Sequence, residues 1–138
     1  MNFPEIIHHG AINGVTGSCH ELKIDDKNSL LIDCGLFQGA EASEKGTGIE
    51  QFTIDFPVKQ IKALLVTQCH IDHVGRIPYL MAAGFDGPIY CSEPTAVLLP
   101  LVLEDAVKIG FTKNSQLIDK FLKHLLRKIV PVPYGISD

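Results

Sequence analysis

A chain of 138 residues, 46% apolar and 20% charged, has the make-up of one globular domain, long enough to bury a core without staples. Its net charge of −4 excludes a global basic field that would draw in nucleic acid, although Lys113, Lys120, Lys123, Arg127 and Lys128 gather late in the chain. Cys19, Cys34, Cys69 and Cys91 form no CxxC pair, residues 1–9 lack the pattern of a secretory leader, and no apolar run reaches the ~20 residues of a membrane span. Free thiols in a reducing cytoplasm are therefore the expected setting.

Residues 6–17 are rich in small side chains (Gly10, Ala11, Gly14, Gly17), which suits a tight loop lying close to other backbone. Ser18 to Ile24 and Ser29 to Asp33 read as two strands, joined through the turn residues Asp25-Asp26-Lys27-Asn28 into a hairpin. Residues 38–53 carry Gly39, Gly46 and Gly48 among charged residues and read as a mobile loop. Ile61 to Val66 is an almost wholly apolar run, as in a strand buried on both faces.

A helix is expected from about Val74 to Ala83, closed by Gly84. Gly87 to Cys91 follows as a short strand. Pro94 opens a second helix, through about Lys108, closed by Gly110. The last helix spans 117–129, with Leu117, Phe121 and Leu125 in one row and Ile118, Leu122, Leu126 and Ile129 in the next; Pro131 and Pro133 end it. The order of elements predicts an α/β (α+β layered) domain over 1–138, a mixed sheet with covering helices.

Between the strand and the first helix lies Thr67-Gln68-Cys69-His70-Ile71-Asp72-His73. Two imidazoles and a carboxylate within four residues, at the end of a rigid strand, suit Zn²⁺, Mn²⁺ or Fe²⁺. Such ions could polarise a phosphoryl or carbonyl oxygen and supply hydroxide near neutral pH. The blander alternatives are Asp72 as a helix N-cap and both histidines satisfied by backbone carbonyls. His8-His9, close to the N-terminus, read as exposed. Cys69 has no partner pattern for a nucleophile, and Cys34 and Cys91 read as small core residues. The basic face of the last helix reads as solvated.

Four segments recur in order: Gly14 to His20 (GVTGSCH), Leu31 to Gly39 (LIDCGLFQG), Thr67 to Leu80 (TQCHIDHVGRIPYL) and Gly84 to Tyr90 (GFDGPIY). From about Gly10 to Asp105 the chain resembles the N-terminal part of the metallo-β-lactamase fold, in particular its β-CASP branch of RNA-processing nucleases. The resemblance implies the front half of an αββα sandwich, without the β-CASP insertion. It implies Asp33 as the carboxylate behind the metal site that orders the ligand loop. His70 matches a ligand of the first metal, and Asp72 and His73 match ligands of the second. Asp72 also matches the catalytic residue that positions the attacking water. Gly14 to Ser18 matches a loop beside the active site.

The chain departs from the family pattern in two places. Gln68 stands where the family has its first histidine ligand, and a neutral amide is a poor substitute for imidazole on zinc. The later histidines and bridging aspartate of the family have no counterpart, since beyond His73 there is only His124, on a helix surface. Three readings result: a truncated, degenerate relative with little or no catalysis; a two-metal phosphodiesterase or nuclease whose site a second subunit completes; and an interaction module that binds at most one weak metal. The implied cofactor is Zn²⁺ or Mn²⁺, RNA is the implied ligand, and no membrane is involved. A half sandwich would leave a sheet face bare, so a homodimer through that face is expected.

Overall fold

The computed structural model describes residues 3–10, 17–37 and 53–133. Six strands form one mixed sheet in sequential order: β1 Glu5–His8, β2 His20–Lys23, β3 Ser29–Ile32, β4 Ile61–Leu65, β5 Ile89–Ser92 and β6 Ile129–Val132. The first three pair antiparallel, and β3 to β6 pair parallel. Four helices are described: α1 Ile71–Val74, α2 Ile77–Ala82, α3 Glu93–Gly110 and α4 Ser115–Lys128. None of the described helices is long and apolar enough to cross a membrane.

The register explains the two faces of the sheet. Glu21, Leu31, Leu64, Ile89 and Ile129 lie opposite one another across β2 to β6. Leu31, Leu64 and Ile89 are fully buried, in one cluster with Ile77 and Leu80 of α2, Leu99 and Leu103 of α3 and Leu125 of α4. The neighbouring row, His8, His20, Ile32, Leu65, Tyr90 and Val130, points to the other face. On that face Ile6 is 60% exposed, and Tyr90 and Val130 are 38% exposed. The helices thus cover one face, and the other carries a partly exposed apolar row.

The helices form where the sequence puts turn chemistry and apolar spacing together. α2 ends in a Schellman motif: Gly84, at φ 116°, donates to Met81 O, and Phe85 donates back to Leu80 O. Phe85 is buried in the same cluster as Leu80, which is the hydrophobic contact this cap favours. In α3, Thr95, Leu99, Leu103 and Val107 recur every fourth residue and are its buried row. Ser92 caps this helix by accepting the Thr95 N–H. In α4, the Asn114 side chain accepts from Gln116 N and Leu117 N, so the helix starts at Ser115.

Several expectations need correction. The helix expected over 74–83 is two short helices. Arg76 N leaves the helical ladder to donate to Cys34 O, and Pro78, with no N–H, opens the second helix. Gly110 lies inside α3, whose C-cap is Phe111. Leu117 and Leu126, both placed on the apolar rows of the last helix, are 52% and 57% exposed, whereas Ile118 and Leu125 are its buried residues. Ile129, placed on an apolar row of the last helix, lies instead in β6, and Ile129–Val132 pairs parallel with β5, with Pro131 opposite Cys91. Proline fits there because β6 is an edge strand. Part of the small-residue segment forms β1, while residues 11–16 and most of the expected loop over 38–53 (residues 38–52) lie outside the described residues.

Candidate functional site

β3 and β4 are adjacent and parallel, with Ile32 opposite Leu65, so both leave the sheet at the same end. Carboxyl ends of parallel strands are where α/β sheets gather their site residues. Asp33 follows β3 directly and sits at φ 61°, a left-handed conformation that costs most residues roughly 1–2 kcal/mol and aspartate somewhat less. From there its buried carboxylate accepts three hydrogen bonds. Thr67 donates from its backbone N–H at 2.8 Å and from its hydroxyl at 2.6 Å, and His73 donates from Nδ1 at 2.8 Å.

Backbone contacts clamp the loop from both sides. Ser18 N donates to Asp72 O, Cys34 N to His73 O and Leu36 N to Ile71 O. Gly35 makes this approach feasible, because a Cβ there would lie 1.7 Å from Asp72 O. Arg76, 1% exposed, ties the same region together: its Nε donates to Gly35 O, its Nη1 donates to Thr53 O at 3.2 Å, and its guanidinium lies 4.7 Å from the Phe37 ring centre.

Asp33, Gln68, Asp72 and His73 come together at this strand end. The Asp33 carboxylate accepts from His73 Nδ1, which orients the ring so that its other nitrogen, Nε2, faces Gln68 and Asp72. The Gln68 carboxamide nitrogen lies 3.0 Å from that Nε2, and Asp72 Oδ2 lies 3.7 Å from it. Asp72 is in the first turn of α1, and His70 occupies the N-cap position with no side-chain capping bond. The His70 side chain is exposed. Among the described residues, no group of three His, Cys, Asp or Glu side chains stands close enough to hold a metal ion. The donors therefore do not fit an imidazole-rich, two-ion centre: one imidazole nitrogen and one carboxylate remain, with an amide at the third corner.

A second polar cluster, around Glu21 of β2, was not legible in the sequence. Glu21, 1% exposed, accepts from Ser29 Oγ at 2.6 Å, Gln60 Nε2 at 3.0 Å and His9 Nε2 at 2.8 Å. Its partners stand 8, 39 and 12 residues away, so spacing gives no sign of them. Burial alone would raise the Glu21 carboxyl, but these bonds outweigh it and hold it below its ordinary value. His9 is not an exposed terminal residue, since it also stacks on Phe56 with ring centres 3.9 Å apart. His8 and His20 face each other across β1 and β2 with their Nδ1 atoms 2.7 Å apart. Burial, followed by the neighbouring His8, pushes the His20 imidazole down.

The cysteines are free. Cys19, Cys34 and Cys91 are buried, and the Cys34 sulfur beside Cys19, together with burial, pushes the Cys19 thiol up. His124 lies far from the loop in sequence and pairs with Asp86 at 3.1 Å, as does Lys128.

The fold and this loop define an α/β domain with a histidine–aspartate segment at the carboxyl ends of parallel strands. Over residues 12–134 the sequence matches the Metallo-beta-lactamase superfamily, and the chain belongs to that family. It is 40% identical over 104 residues to Ribonuclease TTHA0252 of Thermus thermophilus, covering 75% of this chain and 23% of the relative. It is 32% identical to Probable RNase MJ4 of Methanocaldococcus jannaschii, covering 95% of this chain and 29% of that protein. It is 30% identical to Integrator complex subunit 11 of Danio rerio, covering 89% and 21%. The chain thus spans less than a third of the length of these relatives.

Proposed function

We propose that this chain is a degenerate relative of the metal-dependent RNA-processing hydrolases of the β-CASP branch, one partial domain with little or no catalysis of its own. The observation that carries this reading is the Gln68 carboxamide, 3.0 Å from His73 Nε2, in the place of a ligand histidine. The scaffold of the loop is intact: Asp33 holds Thr67 and His73, and Asp72 sits beside the ring. Among the described residues, the donors in reach number too few for the two-ion hydrolysis that the family resemblance implies, in which Asp72 would position the attacking water and His70 and His73 would be ligands. Zinc or manganese, weakly held, is the ion class, and the names of the relatives support RNA as the ligand class. The cytoplasm is its place of work.

The sheet supplies the partner surface. The half-exposed row through Ile6, Tyr90, Val130 and Val132 supports a homodimer in which a second copy covers the open face. The retained Asp72–His73 pair also supports a second reading, a nuclease whose site the other subunit completes.

Incubating the protein with a labelled RNA in Zn²⁺ or Mn²⁺, alongside light scattering, separates these readings. The non-catalytic reading expects no cleavage by wild type. Cleavage by the dimer that Asp72→Ala abolishes and Gln68→His accelerates would replace it with the second reading. A stable, well-folded monomer at micromolar concentration would remove the homodimer.

A further inference from the structure

Asp33 shifts the pairing of β2 and β3. Up to that point the two strands keep one register, with His20 opposite Ile32. Beyond it, Gly35 N donates to Ser18 O. One residue has been added on the β3 side, and Asp33, at φ 61°, is that residue. Cys34 therefore comes opposite Cys19, because the peptide that follows Cys34 is bonded to the peptide that precedes Cys19. Residues opposed in this way have Cα atoms about 4.5–5.5 Å apart and side chains on one face, within the roughly 4.4–6.8 Å that a disulfide spans.

The side chains agree with the backbone. Cys19 and Cys34 are both fully buried, belong to one core cluster and have their sulfurs side by side. Cys91 differs, since burial alone acts on its thiol. We propose that Cys19 and Cys34 are a reversible dithiol–disulfide pair, closed by peroxide, that locks the end of β2 to the end of β3 and so acts on the histidine–aspartate loop. Hydrogen peroxide transfers one oxygen to either sulfur, giving the sulfenic acid, and its other oxygen leaves as water. The neighbouring sulfur then attacks that sulfur. The S–S bond forms, the S–O bond breaks, and the hydroxyl leaves as water with the second thiol's proton. Each thiol gives up one electron and one proton, and the peroxide is reduced to two waters.

Both sulfurs are buried, so the reaction waits on a local opening. Cys19 O accepts from His9 N, the residue after β1, and β1 is an edge strand of the sheet. The backbone that must lift is therefore short and lies at the sheet margin. The link to the loop is direct. Cys34 N donates to His73 O, Cys34 O accepts from Arg76 N, and Ser18 N, next to Cys19, donates to Asp72 O. A covalent bond between the two cysteines pulls on the peptides that clamp the loop from both sides.

The test oxidises the folded chain in a Cys69→Ser background, which removes the partly exposed thiol from competition. Hydrogen peroxide is added, remaining thiols are blocked with iodoacetamide, and the digest is read by mass spectrometry without reductant. The expected product is a chain lighter by two hydrogens, with a linked Cys19–Cys34 peptide and Cys91 as the blocked thiol. Amide resonances of Asp72, His73 and Arg76 move on oxidation and return with dithiothreitol. The unsubstituted chain gives the same linked peptide, so the result does not depend on the folding of the variant. No linked peptide from the folded chain, or a link to Cys91 instead, would overturn the proposal. A Cys19–Cys34 bond that leaves those resonances in place would overturn its action on the loop.

Discussion

Replacing Asp33 tests how the loop is held. Its carboxylate accepts from Thr67 N, Thr67 Oγ1 and His73 Nδ1, and the side chain is 3% exposed. Asp33→Ala removes all three acceptors. The bonds are partly buried, so each is taken at the low end of the penalty for an unsatisfied group, about 1 kcal/mol, giving roughly 3 kcal/mol. Alanine at φ 61° adds about 1 kcal/mol of backbone cost, for a total near 4 kcal/mol. Glycine carries no such backbone cost, so Asp33→Gly should lose about 3 kcal/mol. Against a whole-domain stability of roughly 5–15 kcal/mol, either loss is large. The chain has no tryptophan, so urea unfolding is best followed by far-ultraviolet circular dichroism. Asp33→Asn keeps one oxygen for Thr67 but offers an N–H to His73, which must move its proton to Nε2. Histidine ¹⁵N shifts report that change. If Asp33→Ala and Asp33→Gly unfold within about 0.5 kcal/mol of wild type, the carboxylate does not organise the loop and its three bonds contribute nothing to the fold.

Gly35→Ala puts a Cβ 1.7 Å from Asp72 O, so the loop must shift; a loss of about 2–3 kcal/mol in urea unfolding and displaced amide resonances at Asp72 and His73 are expected, and a neutral substitution would mean that the close approach is not needed. Acid should weaken the fold in two stages. His20 and Glu21 both titrate below their ordinary values of 6.5 and 4.5 in the folded state, so the unfolded chain binds protons first. The stabilisation from His20 is whole above pH 6.5 and declines as pH falls from there through its lowered value, and that from Glu21 declines below pH 4.5. Stability that stays level between pH 7 and pH 4 would contradict both assignments.

Local chemistry made parts of this fold legible in the sequence, and long-range pairing hid the rest. The Asp25 to Asn28 turn could be read because Asp25 Oδ1 accepts from the N–H groups of Lys27 and Asn28, both within three residues. The cap at Gly84 was equally local. β1 and β6 depend on neighbours distant in the chain, and Pro131 signals a break until its place on a sheet edge is known. Arg76 reads as an ordinary helix residue in sequence, yet its neighbours Gly35, Phe37 and Thr53 bury it. At the site, the close spacing from Gln68 to His73 drew attention to the loop. The sequence left open which of those side chains converge. The structure places Gln68, Asp72 and His73 together and leaves His70 exposed at a helix start. That outcome depends on Asp33, which fixes the His73 ring from 40 residues away.

Zinc calorimetry on the purified chain, combined with elemental analysis of its bound metal, tests the central claim most directly. A loop that keeps its scaffold but has an amide in a ligand position predicts at most one weakly held ion per chain, lost in Asp72→Ala. Two tightly held ions per chain would contradict it.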